Sequence, residues 1–388
     1  MKHLAVLGST GSIGRATLEV VERFPDRFRI VALAAGRNVE LLYQQAIRHH
    51  PTLMAVARPE DARRLARELP GITVLAGEEG RIAVATAPQA STVVAAFVGA
   101  LGLVPTWHAL GQGREVLLAN KETLVIAGDL VMAQAAANRA AILPIDSEHN
   151  ALHQALRVGP AQSVRRLILT ASGGPLRTWP RDRLAEVTVE QALAHPTWRM
   201  GAKITIDSAT MMNKGLEIIE AHHLFGVAED RIDVLIHPES RVHSLVEYED
   251  GTLIAQLSVN DMRFPILYAL AYPDRLPSPF GTLDLSAVGA LHFEAADEQR
   301  FPCLAMARAA LRRGGSAPAT MNAANEVAVA AFLRGELPFL GIEAVIAATL
   351  ERDACVPAQI TSLEDVLEAD ARGRAWAGEE AAKYASAR

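Results

Sequence analysis

Gly8-Ser9-Thr10-Gly11-Ser12-Ile13-Gly14 follows the short apolar run Leu4–Leu7 and leads into the amphipathic stretch Ile13–Arg23. Glycines let a backbone turn tightly and approach a pyrophosphate. The N-terminus of the following helix offers free N–H groups and the positive end of its dipole. The spacing is GxxGxxG rather than GxGxxG, so the reading rests on its place between a strand and a helix more than on the glycines. The competing reading is an ordinary βα turn whose Ser and Thr cap the helix.

Outward from this turn, short apolar runs alternate with helical stretches. Strands are expected at Leu4–Leu7, Ile30–Ala34, Met54–Ala57, Val93–Phe97, Val116–Ala119 and Ala141–Ile145. Helices are expected at Ile13–Arg23, Glu40–His49 and Leu130–Ala140. That alternation implies βαβ units and a parallel sheet. Beyond residue 147 the texture is mixed. A strand at Leu167–Thr170 precedes a hairpin made of Arg241–Tyr248 and Thr252–Val259, turned by Glu249-Asp250-Gly251. The stretch Tyr272–Leu291, with Pro273, Pro277 and Pro279, reads as a linker. Ala-rich helices at Cys303–Leu311, Ala323–Leu333 and Ile342–Leu350 suggest a small bundle. The expected fold class is α/β: a Rossmann-like domain over 1–146, a central α+β catalytic domain over 147–271, a linker over 272–298 and a C-terminal helical domain over 299–388.

The 388 residues are 50% hydrophobic and 21% charged, as in a folded globular chain. A net charge of −6 argues against nucleic acid as a partner, which would call for a basic face. Cys303 and Cys355 lack CxxC spacing and read as reduced thiols. The N-terminal apolar run is too short for a signal peptide, and no segment has the roughly 20 apolar residues that span a bilayer. The chain is therefore expected to be cytoplasmic, with neither nucleic acid nor membrane as partner.

Five further clusters carry chemistry. The second strand ends at Ala35-Gly36-Arg37-Asn38, where NAD enzymes usually place a carboxylate for the ribose 2′-hydroxyl. Arg37 would instead attract a 2′-phosphate, which favours NADPH. The alternative is a solvated surface charge. Past Ala141–Ile145 comes Asp146-Ser147-Glu148-His149-Asn150. In an extended segment Asp146 and Glu148 would point to the same side, and hard carboxylate oxygens suit Mg²⁺ or Mn²⁺, with Co²⁺ as a further candidate. A helix start capped by Asp146 or Ser147 is the alternative.

The run Asp207–Glu217 is expected to enter a helix over 209–224. There Asn213 and Glu217 share a face at i,i+4, with Lys214 three residues before Glu217. With Ser208 beside them, these side chains could grip a phosphorylated polyol, or simply form an exposed helix face. Ser172-Gly173-Gly174 forms a small turn with a hydroxyl for phosphate. The loop His195-Pro196-Thr197-Trp198-Arg199-Met200-Gly201 could act as a lid, or be a solvated loop with a packed Trp.

These blocks together resemble the 1-deoxy-D-xylulose 5-phosphate reductoisomerase family nearly end to end: GSTGSIG at 8–14, AGRN at 35–38, LANKE at 118–122, DSEHNA at 146–151, TASGGP at 170–175, HPTWRMG at 195–201, ITIDSATMMNKGLEIIEA at 204–221, HPES at 237–240 and MNAANEVAVAAFL at 321–333. The resemblance implies NADPH contacts at Thr10, Gly11, Ser12, Ile13, Gly36, Arg37, Asn38, Asn120, Glu122 and Gly201. It implies metal ligation by Asp146, Glu148 and Glu217, and substrate contacts at Lys121, Ser147, Glu148, Ser172, His195, Ser208, Asn213, Lys214 and Glu217. Lys121 and Glu148 would be catalytic, and Trp198 and Met200 would belong to a mobile flap. It further implies a homodimer acting on a phosphorylated sugar: rearrangement of 1-deoxy-D-xylulose 5-phosphate, then reduction to 2-C-methyl-D-erythritol 4-phosphate, in the non-mevalonate route to isoprenoids. Two other functions remain open on the residues alone. One is an NADP-dependent, metal-assisted dehydrogenase of a phosphorylated hydroxy acid or polyol; the other is an NADPH-sensing regulator.

Overall fold

A computed structural model describes residues 1–356 and 359–385. In chain order the first elements are β1 (Lys2–Leu7), α1 (Ser12–Arg23), β2 (Phe28–Ala34), α2 (Val39–His49), β3 (Leu53–Val56), α3 (Pro59–Glu68), β4 (Thr73–Ala76), α4 (Gly77–Ala85), β5 (Thr92–Ala95), α5 (Leu103–Gly111), β6 (Glu115–Leu118), α6 (Glu122–Ala137), β7 (Ile142–Pro144) and α7 (Ser147–Ala155). Then come β8 (Val164–Ala171), α8 (Val189–Leu193), α9 (Ala202–Ala209), α10 (Met212–Phe225), β9 (Ile232–Ile236), β10 (Val242–Tyr248), β11 (Leu253–Leu257), α11 (Arg263–Ala271), α12 (Leu285–Val288), β12 (Glu294–Ala295), α13 (Pro302–Arg313), α14 (Ala317–Leu333), α15 (Phe339–Cys355) and α16 (Leu363–Ala385).

The chain forms two compact units. The first comprises residues 1–123, 131–150 and 261–282; the second comprises 124–130, 151–260 and 283–388. The first is built on a seven-stranded sheet in the order β4-β3-β2-β1-β5-β6-β7, with every pair parallel. Leu4–Leu7 and Ile30–Ala34 are buried along their whole length, as strands covered on both faces must be. The strand order reverses at β1, whose neighbours are β2 and β5. Ligands of open α/β sheets bind beyond the carboxyl ends of the strands at such a reversal. Helix α11 returns to this unit late in the chain. Its Ile266, Leu267, Ala269 and Leu270 join the core formed by Leu4, Leu18, Val21 and Leu33, and Arg263 reaches Glu19 of α1 at 3.3 Å.

The second unit carries a five-stranded mixed sheet in the order β11-β10-β8-β9-β12. The expected hairpin is β10 and β11, paired antiparallel. Helices α13 to α16 form the helical end. The site helices are packed onto them: a Cβ on Gly215 of α10 would stand 2.5 Å from Cβ of Ala307 on α13.

The α/β class, with its Rossmann-like sheet, mixed second sheet and helical C-terminal part, is as expected. Four local expectations are corrected. Strand β4 was not foreseen, because four residues on a partly exposed edge give little pattern. Helix α6 starts at Glu122 rather than Leu130 and is kinked at Ala127 (φ −144°, ψ 28°). The expected helix over 209–224 is two helices, broken where Met211 takes a left-handed conformation (φ 61°). Asp146 and Glu148 do not lie in an extended segment: α7 begins at Ser147, and the Asn150 N–H donates to the Asp146 carbonyl at 2.8 Å. The backbone there follows the helix-start alternative.

Candidate active site

The nucleotide turn lies wholly in the first unit. Gly8 and Ser9 donate their N–H groups to the Ala34 carbonyl at 2.8 and 2.9 Å, which ties the turn to the end of β2. Gly8 has φ +85°, and a Cβ there would stand 2.4 Å from the Ala96 carbonyl oxygen beyond β5. Ser9 is buried; its Oγ donates to Gln45 Oε1 at 2.8 Å while Gln45 Nε2 donates to the Ser9 carbonyl at 2.9 Å. Gln45 therefore braces the turn from inside, a role the sequence reading missed; the signal was a polar side chain three residues after the core residue Leu42.

The N-cap of α1 is Gly11, and no side chain caps the helix. This disposes of the simple capping alternative and leaves the first N–H groups of α1 facing exposed positions at Gly11 and Ser12, with Thr10 and Ile13 half-buried beside them. Gly36, Arg37 and Asn38 are exposed at the end of β2. Asn38 caps α2 by accepting from the Leu41 N–H at 3.2 Å. Among the described residues Arg37 forms no ion pair, so its guanidinium faces solvent beside the turn.

Farther along the sheet, Asn120 is buried and tightly held. Its Nδ2 donates to the Gly99 carbonyl at 3.0 Å and to Glu122 Oε2 at 2.7 Å, and its Oδ1 accepts from Thr123 Oγ1 at 2.7 Å. Asn120 and Glu122 thus fix the backbone that presents Lys121. The Lys121 ammonium is buried and paired with the Asp146 carboxylate. One residue into α7, Glu148 accepts from the Ser147 hydroxyl at 2.5 Å. Asp146 and Glu148 thus offer hard oxygens at the start of one helix, beside a lysine. This donor set fits Mg²⁺ or Mn²⁺.

The second unit holds the other half of the expected residues. Ser172 follows β8. Its Oγ lies 3.0 Å from His195 Nε2 and accepts from the Gly174 N–H at 3.1 Å. His195 Nδ1 accepts from the Thr197 and Trp198 N–H groups at 3.3 and 3.0 Å. An imidazole nitrogen that accepts carries no proton, so in neutral His195 the proton sits on Nε2 and is donated to Ser172. Burial holds the His195 pKa below its ordinary value, which favours that neutral form. Ser172 then accepts twice, and its own hydroxyl proton is left to donate to a further acceptor.

The glycine at 174 is required here. It has φ +70°, and a Cβ would meet the Ser208 carbonyl oxygen at 2.5 Å. The Ser172 turn is therefore pressed against the end of α9, which brings Ser208 beside it. Past the break at Met211, the first turn of α10 supplies Asn213 and Lys214. Asn213 Nδ2 donates to Glu217 Oε1 at 2.5 Å, and Lys214 Nζ donates to Glu217 Oε2. Lys214 and Glu217 are buried, which rules out an exposed helix face.

Trp198 and Met200 are half-buried, and Gly201 is exposed ahead of α9. The Trp198 ring lies 6.3 Å from that of His243, tilted by 53°. His243 is buried and bonded to Ser258 at 2.8 Å. Thr197 Oγ1 is 3.5 Å from Ser240 Oγ in the 237–240 turn. These contacts dock the loop onto the second sheet, and His243 was another residue that the sequence reading did not single out.

Family models match this chain over three segments. One described as 1-deoxy-D-xylulose 5-phosphate reductoisomerase covers residues 4–128; two C-terminal-domain models of that enzyme cover 142–225 and 257–376. The chain belongs to this family. A 1-deoxy-D-xylulose 5-phosphate reductoisomerase of Anaeromyxobacter sp. (strain K) is 53% identical over 375 residues, 96% of either chain. A crystal structure of DOX-P reductoisomerase in complex with NADPH, fosmidomycin and magnesium aligns with a TM-score of 0.93 and 42% identity, over 98% of both chains. The Zymomonas mobilis reductoisomerase in complex with NADPH aligns with a TM-score of 0.90 and 43% identity, over 97% of this chain and 98% of that one. The family expected from the sequence blocks is borne out over nearly the whole chain.

Proposed function

We propose that the chain carries out the NADPH- and divalent-metal-dependent rearrangement and reduction of 1-deoxy-D-xylulose 5-phosphate to 2-C-methyl-D-erythritol 4-phosphate, in the non-mevalonate pathway of isoprenoid biosynthesis. The observation that carries this reading is the grip in the second unit: a hydroxyl at Ser172 whose proton is left to donate, Ser208 pressed beside it, and a buried Asn213–Glu217–Lys214 clamp. A plain dehydrogenase needs no such clamp, and an NADPH sensor needs neither clamp nor grip.

In this reading Ser172, His195, Ser208, Asn213 and Lys214 bind the substrate phosphate. That remote binding energy orients the reacting carbons. Lys214 has three donors, so it can keep its bond to Glu217 while it reaches a phosphate oxygen. Asp146, Glu148 and Glu217 hold the divalent metal, with Ser147 beside the substrate. When bound, the metal supplies Lewis acidity and the nicotinamide supplies the reducing electrons. Glu148 takes the proton from the substrate hydroxyl, and Lys121 places positive charge at the oxygen where negative charge develops. Trp198 and Met200 cover the substrate and exclude water from the aldehyde that the rearrangement produces. NADPH lies on Thr10–Ile13, Gly36–Asn38 and the backbone held by Asn120 and Glu122, with Gly201 near the flap. The enzyme works as a cytoplasmic homodimer. No helix among the described residues is long and apolar enough to cross a membrane.

The test is NADPH oxidation with 1-deoxy-D-xylulose 5-phosphate, with and without Mg²⁺, followed by identification of the product skeleton. A branched product formed only with metal supports the reading. An unbranched product favours the dehydrogenase, and NADPH binding without turnover favours the sensor. The 2′-phosphate is read by Arg37, so Arg37→Glu will lower the ratio of kcat/KM for NADPH over NADH by about 100-fold, the equivalent of one lost charge-assisted contact replaced by repulsion. An unchanged ratio would take Arg37 out of the cofactor site.

A further inference from the structure

Helix α14 lies more than a hundred residues beyond the phosphate grip in sequence. It carries a fully buried polar residue, Asn325, whose Nδ2 donates to Asp207 Oδ1 at 2.8 Å. Asp207 is itself about 1% exposed, and its second oxygen takes the Lys203 ammonium at 2.9 Å. A buried carboxylate is costly unless both oxygens are compensated, and an apolar pair of similar volume often serves stability as well or better. The amide and the carboxylate are therefore not what packing of α9 against α14 requires. What they add is direction: one carboxylate, held from two sides, fixes the rotation of the last turn of α9.

The next residue is Ser208. Its carbonyl oxygen is the atom a Cβ on Gly174 would strike at 2.5 Å, so the Ser172 turn and the end of α9 meet without slack. Three residues further, Met211 holds the left-handed turn that starts α10 and sets where Asn213 and Lys214 begin. We propose that Asn325 is a positioning residue for substrate binding, acting through Asp207 to place Ser208 and the start of α10 against the Ser172 turn. The inference rests on the phosphate reading of that grip.

Steady-state kinetics with 1-deoxy-D-xylulose 5-phosphate on the full-length chain test it, with NADPH affinity and melting temperature measured alongside. Asn325→Leu keeps the volume and removes the donor. It should raise KM about tenfold, the worth of one hydrogen bond to a charged group, with kcat and NADPH affinity changed less than about threefold on the same scale. Asn325→Asp sets two carboxylates against each other and should raise KM further. The double variant Asn325→Asp/Asp207→Asn restores an amide–carboxylate pair with its polarity reversed and should recover most of the loss. A merely structural role would lower the melting temperature of Asn325→Leu without that split between KM and kcat. The proposal is overturned by an unchanged KM in Asn325→Leu, by a fall in kcat alone, or by a double variant no better than Asn325→Asp. Should Asn325→Asp not fold, the KM of Asn325→Leu decides. If the parent chain itself shows no turnover of this substrate, the functional reading fails instead, and the two failures are distinct.

Discussion

Replacing Glu217 by Gln will lower kcat by about three orders of magnitude or more, the scale on which losing a group that stabilises transition-state charge is felt. The substitution leaves the shape of the clamp nearly intact. The Gln carbonyl still accepts from Lys214, and its amide can be met by the Oδ1 of Asn213 once that side chain flips. The formal charge is gone, however, and with it the hard anionic oxygen that the proposed metal site would use. Lys214 then loses the charge of one buried carboxylate partner, so the melting temperature should fall as well; breaking a buried ion pair typically costs about 3–5 kcal/mol when one partner is removed outright, and less for an isosteric amide. NADPH affinity should stay within about twofold, because the residues proposed for the cofactor, Gly201 excepted, belong to the other compact unit and the change in free energy there is small. Titration of NADPH beside Mg²⁺-dependent turnover separates the two effects. Near-normal turnover in the variant would remove Glu217 from the metal site.

Gly14→Ala will have the second large effect, on the opposite end of the chemistry. A Cβ at position 14 would stand 2.3 Å from the Gly8 carbonyl oxygen and 2.5 Å from the Ser9 Cα. Both are backbone atoms of the turn itself, and neither can rotate aside. Ser9 is further pinned by Gln45 and by the Ala34 carbonyl. The turn must therefore open, at or above the 1–3 kcal/mol typical of overpacking, roughly 100-fold in NADPH affinity if the strain is relieved only in the unbound state. Fluorescence titration of NADPH and a melting curve measure both parts. Wild-type affinity in this variant would mean that the turn has slack the geometry does not display.

Much of this was legible in the sequence, and the reasons differ by element. The nucleotide turn and the strands on either side of it are local: apolar run, glycines and amphipathic helix follow one another within two dozen residues. The Asn213–Glu217 pair follows from helical spacing alone. The Met211 turn was not readable, because a left-handed residue is normally announced by Gly or Asn, and here packing holds a methionine there. Asp146-Ser147-Glu148 reads equally well as the end of a strand or the start of a helix, and tertiary structure chose the helix. The His195 tautomer depends on two backbone N–H groups that point at its Nδ1 only after the loop has closed on itself. The Asn325–Asp207 bond joins residues 118 positions apart, a distance no local pattern spans.

The return of α11 to the first sheet has a bearing on how the protein is made. Its leucines and isoleucine complete the core that α1 begins, and Arg263 clasps Glu19. The Gly8 turn likewise waits for Ala96, since β1 pairs with a strand that follows it by some ninety residues. On the ribosome, then, the Gly8 turn and α1 emerge well before α11, and an apolar flank on α1 stays uncovered until α11 has followed. A fragment cut at residue 150 or 260 would inherit that bare flank. The sheet that carries the Gly8 turn is therefore an early starter but a late finisher in folding.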